Sequence, residues 1–571
     1  MKPRIRARTA LWLMAGVVGG CGLAEPPPFA PERIVAMQKE MAKEAPSPVL
    51  RPLPTTLQSV MPPGVLAPTT LPARTAPQEI GPTVAMTLQE MIHRVAANNL
   101  DARVAGYEAS VDEARITEAK SRFDPVFFTN GQFQKQFQQT TIGGNLTPPE
   151  VLSQQLQTGI RQNLPDGGQI ELSQQLQRQE VTPTTPGTIS PFYQSQLQMQ
   201  LTQPLLRDFG GEVNRARITI ARNDMRISQL DWRDKLETAL ANAEEGYWRL
   251  YQAQQNVKIQ EELLARTEDT LDILIKRLKQ DTSRVQVSQG YASVQSRRAE
   301  LVRLKAQLGD LSDQLKRIMN DPDLPVVSPQ TILPADRPIE EAIHFSLEDQ
   351  IAAALENRFD ILEQKYRIAS AGTVRKAARN NTLPQLNLQA TLGLQGLGDD
   401  ADSALDEERR SSLFFYTVGM SFEVPFGNRG PQAIYLRTLL QQEQAMVQYR
   451  LIVDQAALEV KRQFRELETT WNEMIATKHA RFAAADALLA IEQRERAGEP
   501  MTPTFVQLKL DRQDALAQAA RNEVQATANY NIAISALEKA KGTLLRYDNI
   551  AMKEEPGSPM AKTPIKEKKK K

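Results

Sequence analysis

From Leu386 the chain reads LNLQATLGL, with apolar side chains at 386, 388, 390, 392 and 394 and Asn387, Gln389 and Thr391 between them. From Tyr416 it reads YTVGMSFEV, apolar at 416, 418, 420, 422 and 424. A period of two predicts strands with one apolar and one polar face. The acidic, polar stretch 397–413 between them reads as a connecting loop. Earlier in the chain FFTNGQFQKQF and YQSQLQMQL alternate in the same way. Between those two, LQTGIRQNL and QIELSQQLQ predict a further hairpin, turned by Pro165, Asp166, Gly167 and Gly168. Such strands carry the weak signature of a membrane β-barrel, but soluble sandwiches alternate too.

Elsewhere the period lengthens. Leu236, Leu240, Ala243, Tyr247, Leu250 and Val257 follow steps near four and three, and so do Val453, Ala457, Val460, Phe464, Leu467 and Met474, each 217 residues later. Gln254 against Trp471 is the mismatch. Two seams in matching register predict helices packed as a coiled coil. Further upstream the repeat offset is 259: Leu88, Ile92, Asn98, Asp101, Tyr107 and Pro125 recur as Leu347, Ile351, Asn357, Asp360, Tyr366 and Pro384. The two offsets differ by 42 residues, which locates an insertion in the first repeat between Pro125 and Val213. Proline is absent from 205–321, 432–499 and 504–555. A helix over 213–280 would extend roughly 100 Å at about 1.5 Å per residue.

The ends differ in character. Lys2, Arg4, Arg6 and Arg8 precede the apolar stretch ALWLMAGVV, which suits the core of a secretory signal over 1–20. Val18-Gly19-Gly20-Cys21 resembles the bacterial lipobox, in which the cysteine is acylated and becomes the mature N-terminus. An ordinary signal peptide with an incidental cysteine fits the same residues. As the one cysteine of 571 residues, Cys21 has no internal disulfide partner. Residues 22–83 hold 14 of the 36 prolines, so 21–85 reads as an extended tether, anchored by lipid at Cys21. The tail 551–571 is lysine-rich and too polar to build a core.

Charge adds little: 69 Lys and Arg against 68 Asp and Glu give no basic field for nucleic acid. Mean hydropathy is -0.43, and no run beyond the leader approaches the roughly 20 residues of a membrane helix. Each repeat therefore reads as helix, strands, long helix down and helix return, over 86–325 and 346–550, with a linker at 326–345. So few strands do not close a barrel, and open edges are forbidden in lipid, so copies must close the wall together.

LTQPLLRDFGGEVNRARITIARND, YNIAISALEKAKGTLL and AGEPMTPTFVQLKLDRQDAL together resemble the TolC-like outer-membrane efflux proteins, over roughly Met86 to Ile550. The resemblance implies a mainly α fold with membrane β: two repeats of long coiled-coil helical hairpins plus β-hairpins. In that family these form a trimeric α-barrel and a twelve-stranded transmembrane β-barrel. It implies a trimeric outer-membrane channel of a tripartite efflux or type I secretion system. Its partners would be copies of itself, a periplasmic adaptor, an inner-membrane pump and outer-membrane lipid. The implied location is the outer membrane, with a periplasmic helical tunnel and a lipid anchor at Cys21. By the same resemblance the adaptor would meet the helical tips, 277–288 and 494–505, at Arg277, Asp281, Arg494 and Gly498. Two departures stand out: the 42 extra residues, and Asp281 where the second repeat has Gly498.

No constellation for catalysis, cofactor or metal emerges. His93, His344 and His479 are far apart and read as helix-face residues, and RDFGG lacks the Lys-Ser/Thr pair of a phosphate loop. Asp511 and Asp514, at i and i+3 on the helix leaving the second tip, project to one side. They are either a solvated face or, in three copies, a carboxylate ring gating the narrow end. A rival from another class is a lipid-anchored periplasmic coiled-coil spacer with a soluble β head.

Overall fold

The computed structural model describes residues 82–137, 150–182, 190–279, 282–410 and 413–550. Cys21 and Asp281 lie outside the described residues, as do the 1–20 leader, most of the tether and the 551–571 tail. All elements below belong to the unit Ile80–Val326 with Gln330–Lys571.

The chain enters as β1 (Thr83–Met86), then α1 (Leu88–Asn98) and α2 (Leu100–Ser121). Two side chains set these helix starts. The Thr87 hydroxyl accepts the Glu90 N–H at 3.2 Å, and the Asn99 carbonyl oxygen accepts that of Ala102 at 3.0 Å. Four antiparallel strands follow: β2 (Val126–Phe137), β3 (Glu150–Asn163), β4 (Gln169–Thr182) and β5 (Phe192–Pro204). The expected turn at 165–168 is present, and Gly167, at φ 101°, takes a left-handed conformation. A Cβ there would meet the Asp208 carbonyl.

A four-residue turn, α3 (Gly211–Asn214), leads into α4 (Ala216–Lys276), one unbroken helix of 61 residues. Its bounds lie inside the expected 213–280, because Arg215 breaks the helical backbone above and a 3-10 turn, Arg277–Lys279, tightens the lower end. The chain returns along α5 (Arg284–Met319), opened by a capping box of Ser283 and Gln286. The second half repeats the order with β6 (Thr331–Pro334), α6 (Leu347–Asn357), α7 (Phe359–Asn380) and β7 (Gln385–Gly398). Then come α8 (Ala401–Arg409), β8 (Leu413–Glu423), α9 (Arg429–Arg496), α10 (Pro503–Lys541) and α11 (Leu544–Tyr547).

Two expectations are corrected. Within 397–413 lies the nine-residue helix α8 rather than a loop, started by an Asp400–Ser403 capping box and docked by Ala404 and Glu408 on the sheet. His344 does not sit on a helix face: it lies in the linker and lines a 360 Å³ cavity with Trp471 and Tyr530.

The strands form one sheet in the order β2-β3-β4-β5-β7-β8. The segments 386–394 and 416–424 pair antiparallel as expected, Leu392 opposite Tyr416. The inserted hairpin is inside this sheet, hydrogen-bonded on both sides. The two repeats also meet at β1 and β6, which pair in parallel from Thr83 with Thr331 to Met86 with Pro334.

Next to the strands the helices run in the row α2, α4, α7, α9; toward the tips the row is α5, α4, α10, α9. The first seam is fully realised: Leu236, Leu240, Ala243, Tyr247, Leu250 and Val257 are all buried in one core. The second buries Val460, Leu467 and Met474 against α10, where the Trp471 ring lies 5.2 Å from that of Tyr530 at a tilt of 52°. Truncating one such fully buried leucine costs about 2–5 kcal/mol. Two tyrosines tie the linker down. Tyr247 donates to Asp336 at 2.9 Å, and Tyr530 donates to the Glu341 carbonyl at 2.7 Å.

Candidate conduit wall and helical tips

Strand register sorts the side chains of the sheet into two faces. One face carries an unbroken apolar row across all six strands: Phe127, Ile160, Leu172, Met199, Leu392 and Tyr416. All six are exposed. The opposite face carries a row of amides, Asn130, Gln157, Gln175, Gln196 and Gln395. A sheet apolar on an exposed face and amide-lined on the other has the pattern of a barrel wall between lipid and water. Among the described residues, no helix is long and apolar enough to cross a membrane.

The outer end of the apolar face is covered by α8. Gly396 on β7 has no room for a side chain, because a Cβ would meet the Ala404 carbonyl and the Glu408 backbone of that helix. Beneath it Glu408 accepts from Gln174 at 2.8 Å and from the buried Ser195 hydroxyl. A short helix over close-packed small residues, with its buried carboxylate hydrogen-bonded, is a stable arrangement.

Both ends of this assembly lack a neighbour. Among the described residues, β2 and β8 each pair on one side alone. The helices beside them show the same property. On α2, Leu100, Val104, Tyr107 and Val111 step by four, three and four, and each is more than half exposed. On α9, Leu436, Leu440, Val447, Leu451 and Leu458 step by four, seven, four and seven, and each is also more than half exposed. These are heptad seams with no partner helix among the described residues.

At the far end the two hairpin tips pack on each other through Leu274, Ile491, Met501, Phe505, Val506 and Leu510. Gln286 at the start of α5 donates to the Met501 carbonyl at 2.5 Å. The second tip turns on Gly498, at φ 89°, a conformation that a side chain would strain. Arg494 is held inside its own loop, its Nε 2.7 Å and its Nη2 2.5 Å from the Glu499 carboxylate oxygens. Arg277 begins the 3-10 turn of the first tip and is half-buried.

Asp511 and Asp514 are both exposed but differently engaged. Asp511 accepts from Gln507 at 2.7 Å. Asp514 pairs at 2.9 Å with Arg297, whose side chain is only 7% exposed. Arg297 also donates to Gln513 at 3.2 Å and to the Leu510 carbonyl at 3.3 Å. Sequence reasoning missed this arginine, because the polar pattern of α5 gives no sign that it faces inward.

A second missed feature is a carboxylate cluster where α4, α10 and α11 meet. Burial pushes Glu237 up to about 7 and Asp548 up to about 8, and raises Glu244, which accepts from the Ser535 hydroxyl. Glu237 accepts the Leu544 N–H at 2.8 Å, so the cluster fastens the C-terminal turn to the longest helix of the first half. Among the described residues, no set of three or more His, Cys, Asp or Glu side chains is placed to hold a metal.

No protein-family model matches the sequence, and no curated protein does. Solved structures do. The chain is similar to the CmeC outer membrane channel of Campylobacter jejuni, with 16% identity over 80% of this chain and 86% of that one, at a TM-score of 0.57. The outer membrane protein VceC of Vibrio cholerae aligns at 16% identity over 80% and 96% of the two chains, TM-score 0.57. The open-state MtrE outer membrane channel of Neisseria gonorrhoeae aligns at 16% identity over 80% and 89%, TM-score 0.57. At such identities the likeness is one of fold: the chain shares the fold of these solved outer membrane channels.

Proposed function

We propose that the protein is an outer-membrane channel assembled from three copies, a passive conduit for cargo delivered by an inner-membrane pump through a periplasmic adaptor. One observation carries the reading: among the described residues, an unpaired strand edge and an unpartnered apolar helix seam stand at each end of the same row of elements. The β8 edge and the α9 seam on one side are complementary in kind to the β2 edge and the α2 seam on the other. Identical copies joined head to tail extend one antiparallel sheet and one coiled-coil wall until the ring closes. The spacer reading leaves both the edges and the exposed apolar row without a purpose.

The remaining roles follow from this assembly. The repeats 86–325 and 346–550 each supply part of the wall, with 326–345 linking them. The tips around Arg277, Asp281, Arg494 and Gly498 face the adaptor. Asp511 and Asp514 approach their counterparts at the narrow end, and lipid on Cys21 fastens the tether to the membrane that the strands cross. Whether the cargo is a small solute or a secreted protein depends on the pump.

The test is purification of the full chain in mild detergent, followed by native mass measurement and planar-bilayer recording. A trimer giving stable single-channel currents supports the reading. A monomer that leaves the bilayer silent overturns it.

A further inference from the structure

We infer that the inserted hairpin is part of the barrel wall, so that the exit is built from six strands per copy, 18 in a trimer, and is wider than a twelve-stranded one. This rests on the channel reading above and adds the gauge of its outer end.

Three observations support it. First, β3 and β4 occupy the middle of the sheet rather than its margin. Phe127 to Ile160, Ile160 to Leu172 and Leu172 to Met199 are successive cross-strand neighbours, so β2 reaches β5 only through the hairpin. Taking the hairpin out of the wall would break two complete ladders and leave backbone groups unpaired in lipid. Second, the hairpin is in phase with its flanks on both faces. Ile160 and Leu172 continue the apolar row, while Gln157 and Gln175 continue the amide row. A one-residue slip would have reversed both. A hairpin standing outside the wall would need neither pattern.

Third, the strand count preserves closure. Six antiparallel strands leave β2 and β8 running in opposite directions, so β8 of one copy meets β2 of the next as another antiparallel pair. Barrel diameter grows roughly linearly with strand number, so 18 strands give an exit about one and a half times the width of a twelve-stranded barrel. Barrels of 16–18 strands leave an aqueous channel. The lining here is mostly side-chain amide; Arg161 and Glu171 stand directly opposite each other near its base. Such an exit accepts bulky polar cargo of either charge sign, and discrimination belongs to the helical end.

The experiment uses the full chain in nanodiscs. Paired cysteines are placed across β2 and β3 (T129C with T158C, whose hydroxyl oxygens are 3.3 Å apart) and across β4 and β5 (L172C with M199C). A third pair, T129C with M199C, probes direct contact of β2 with β5. End-on imaging counts strands, and native mass counts copies. The expected result is that the first two pairs cross-link, the third does not, and a trimer shows 18 strands. Polymers added at the strand end should then show a size cut-off about one and a half times that of a twelve-stranded channel. A conducting trimer with twelve strands that cross-links only through the third pair overturns this inference and leaves the channel reading intact. A twelve-stranded dimer overturns the count of 18. A monomer that does not conduct overturns the channel reading itself.

Discussion

Arg297 on α5 reaches Asp514 on α10 at 2.9 Å, a nearly buried cation meeting a largely exposed carboxylate across the two hairpins. The pair unites the halves of the chain just above their tips. Removing the charge in D514N should cost about 1 kcal/mol, since the carboxylate remains in water. R297L also removes the bonds to Gln513 and the Leu510 carbonyl and should cost about 2–3 kcal/mol. Thermal melts of the two variants in detergent check the order; equal losses would show that the buried arginine is not the anchor.

The same pair divides the labour of the proposed gate. Asp514 is already compensated by Arg297, whereas Asp511 has an uncharged amide as its partner. D511N should therefore relieve blockade by multivalent cations by a larger factor than D514N. Single-channel titrations from the helical side measure both.

Acidity should tighten the C-terminal attachment. Glu237 and Asp548 are raised from ordinary values of 4.5 and 3.8 to about 7 and about 8. Because the folded values are the higher ones, their contribution is complete below about pH 4 and is lost as pH rises through 7 to 8. Tm should fall across pH 5 to 8.5, and D548N should flatten that slope. A slope unchanged in the variant would remove the cluster as its source.

The exposed seam on α9 invites a direct test of assembly. L440D combined with L451D places two carboxylates on a face that has no partner among the described residues, so the subunit fold should survive. Circular dichroism should be unchanged, while native mass drops from trimer to monomer. A trimer that persists would move the subunit contact elsewhere.

Over the strands, G396V sets a side chain against the α8 backbone. Overpacking of this kind costs about 1–3 kcal/mol. Protease should then cut 399–412 faster than in the parent while the helical core melts unchanged.

Much of this architecture was legible in the linear pattern, and the reason is periodicity. Leu392 and Tyr416 fall two apart from their like neighbours, and Leu236 to Val257 step by four and three, so local spacing alone assigned strand and helix. The α8 helix escaped because only Ala404 and Glu408 turn toward the sheet, too few to raise an apolar period over nine residues. Asp400 and Ser403 carried the one local signal, a capping box. Whether the hairpin joined the wall was not local information, since a pairing such as Leu172 with Met199 is set by the register of distant segments. At the tips, Gly498 was legible as a turn residue, whereas the Arg494 pairing with Glu499 depends on how that turn folds back. Glu237 and Glu244 recur seven apart like the seam itself, yet a carboxylate at that spacing gives no sign of being buried.

The four-row ladder of Thr83–Met86 on Thr331–Pro334 has a mechanical meaning. A pull directed along β1 at Pro82 would load this ladder in shear instead of peeling it row by row. A load entering along β1 would therefore be borne first at this junction between the repeats, ahead of the sheet and the tips.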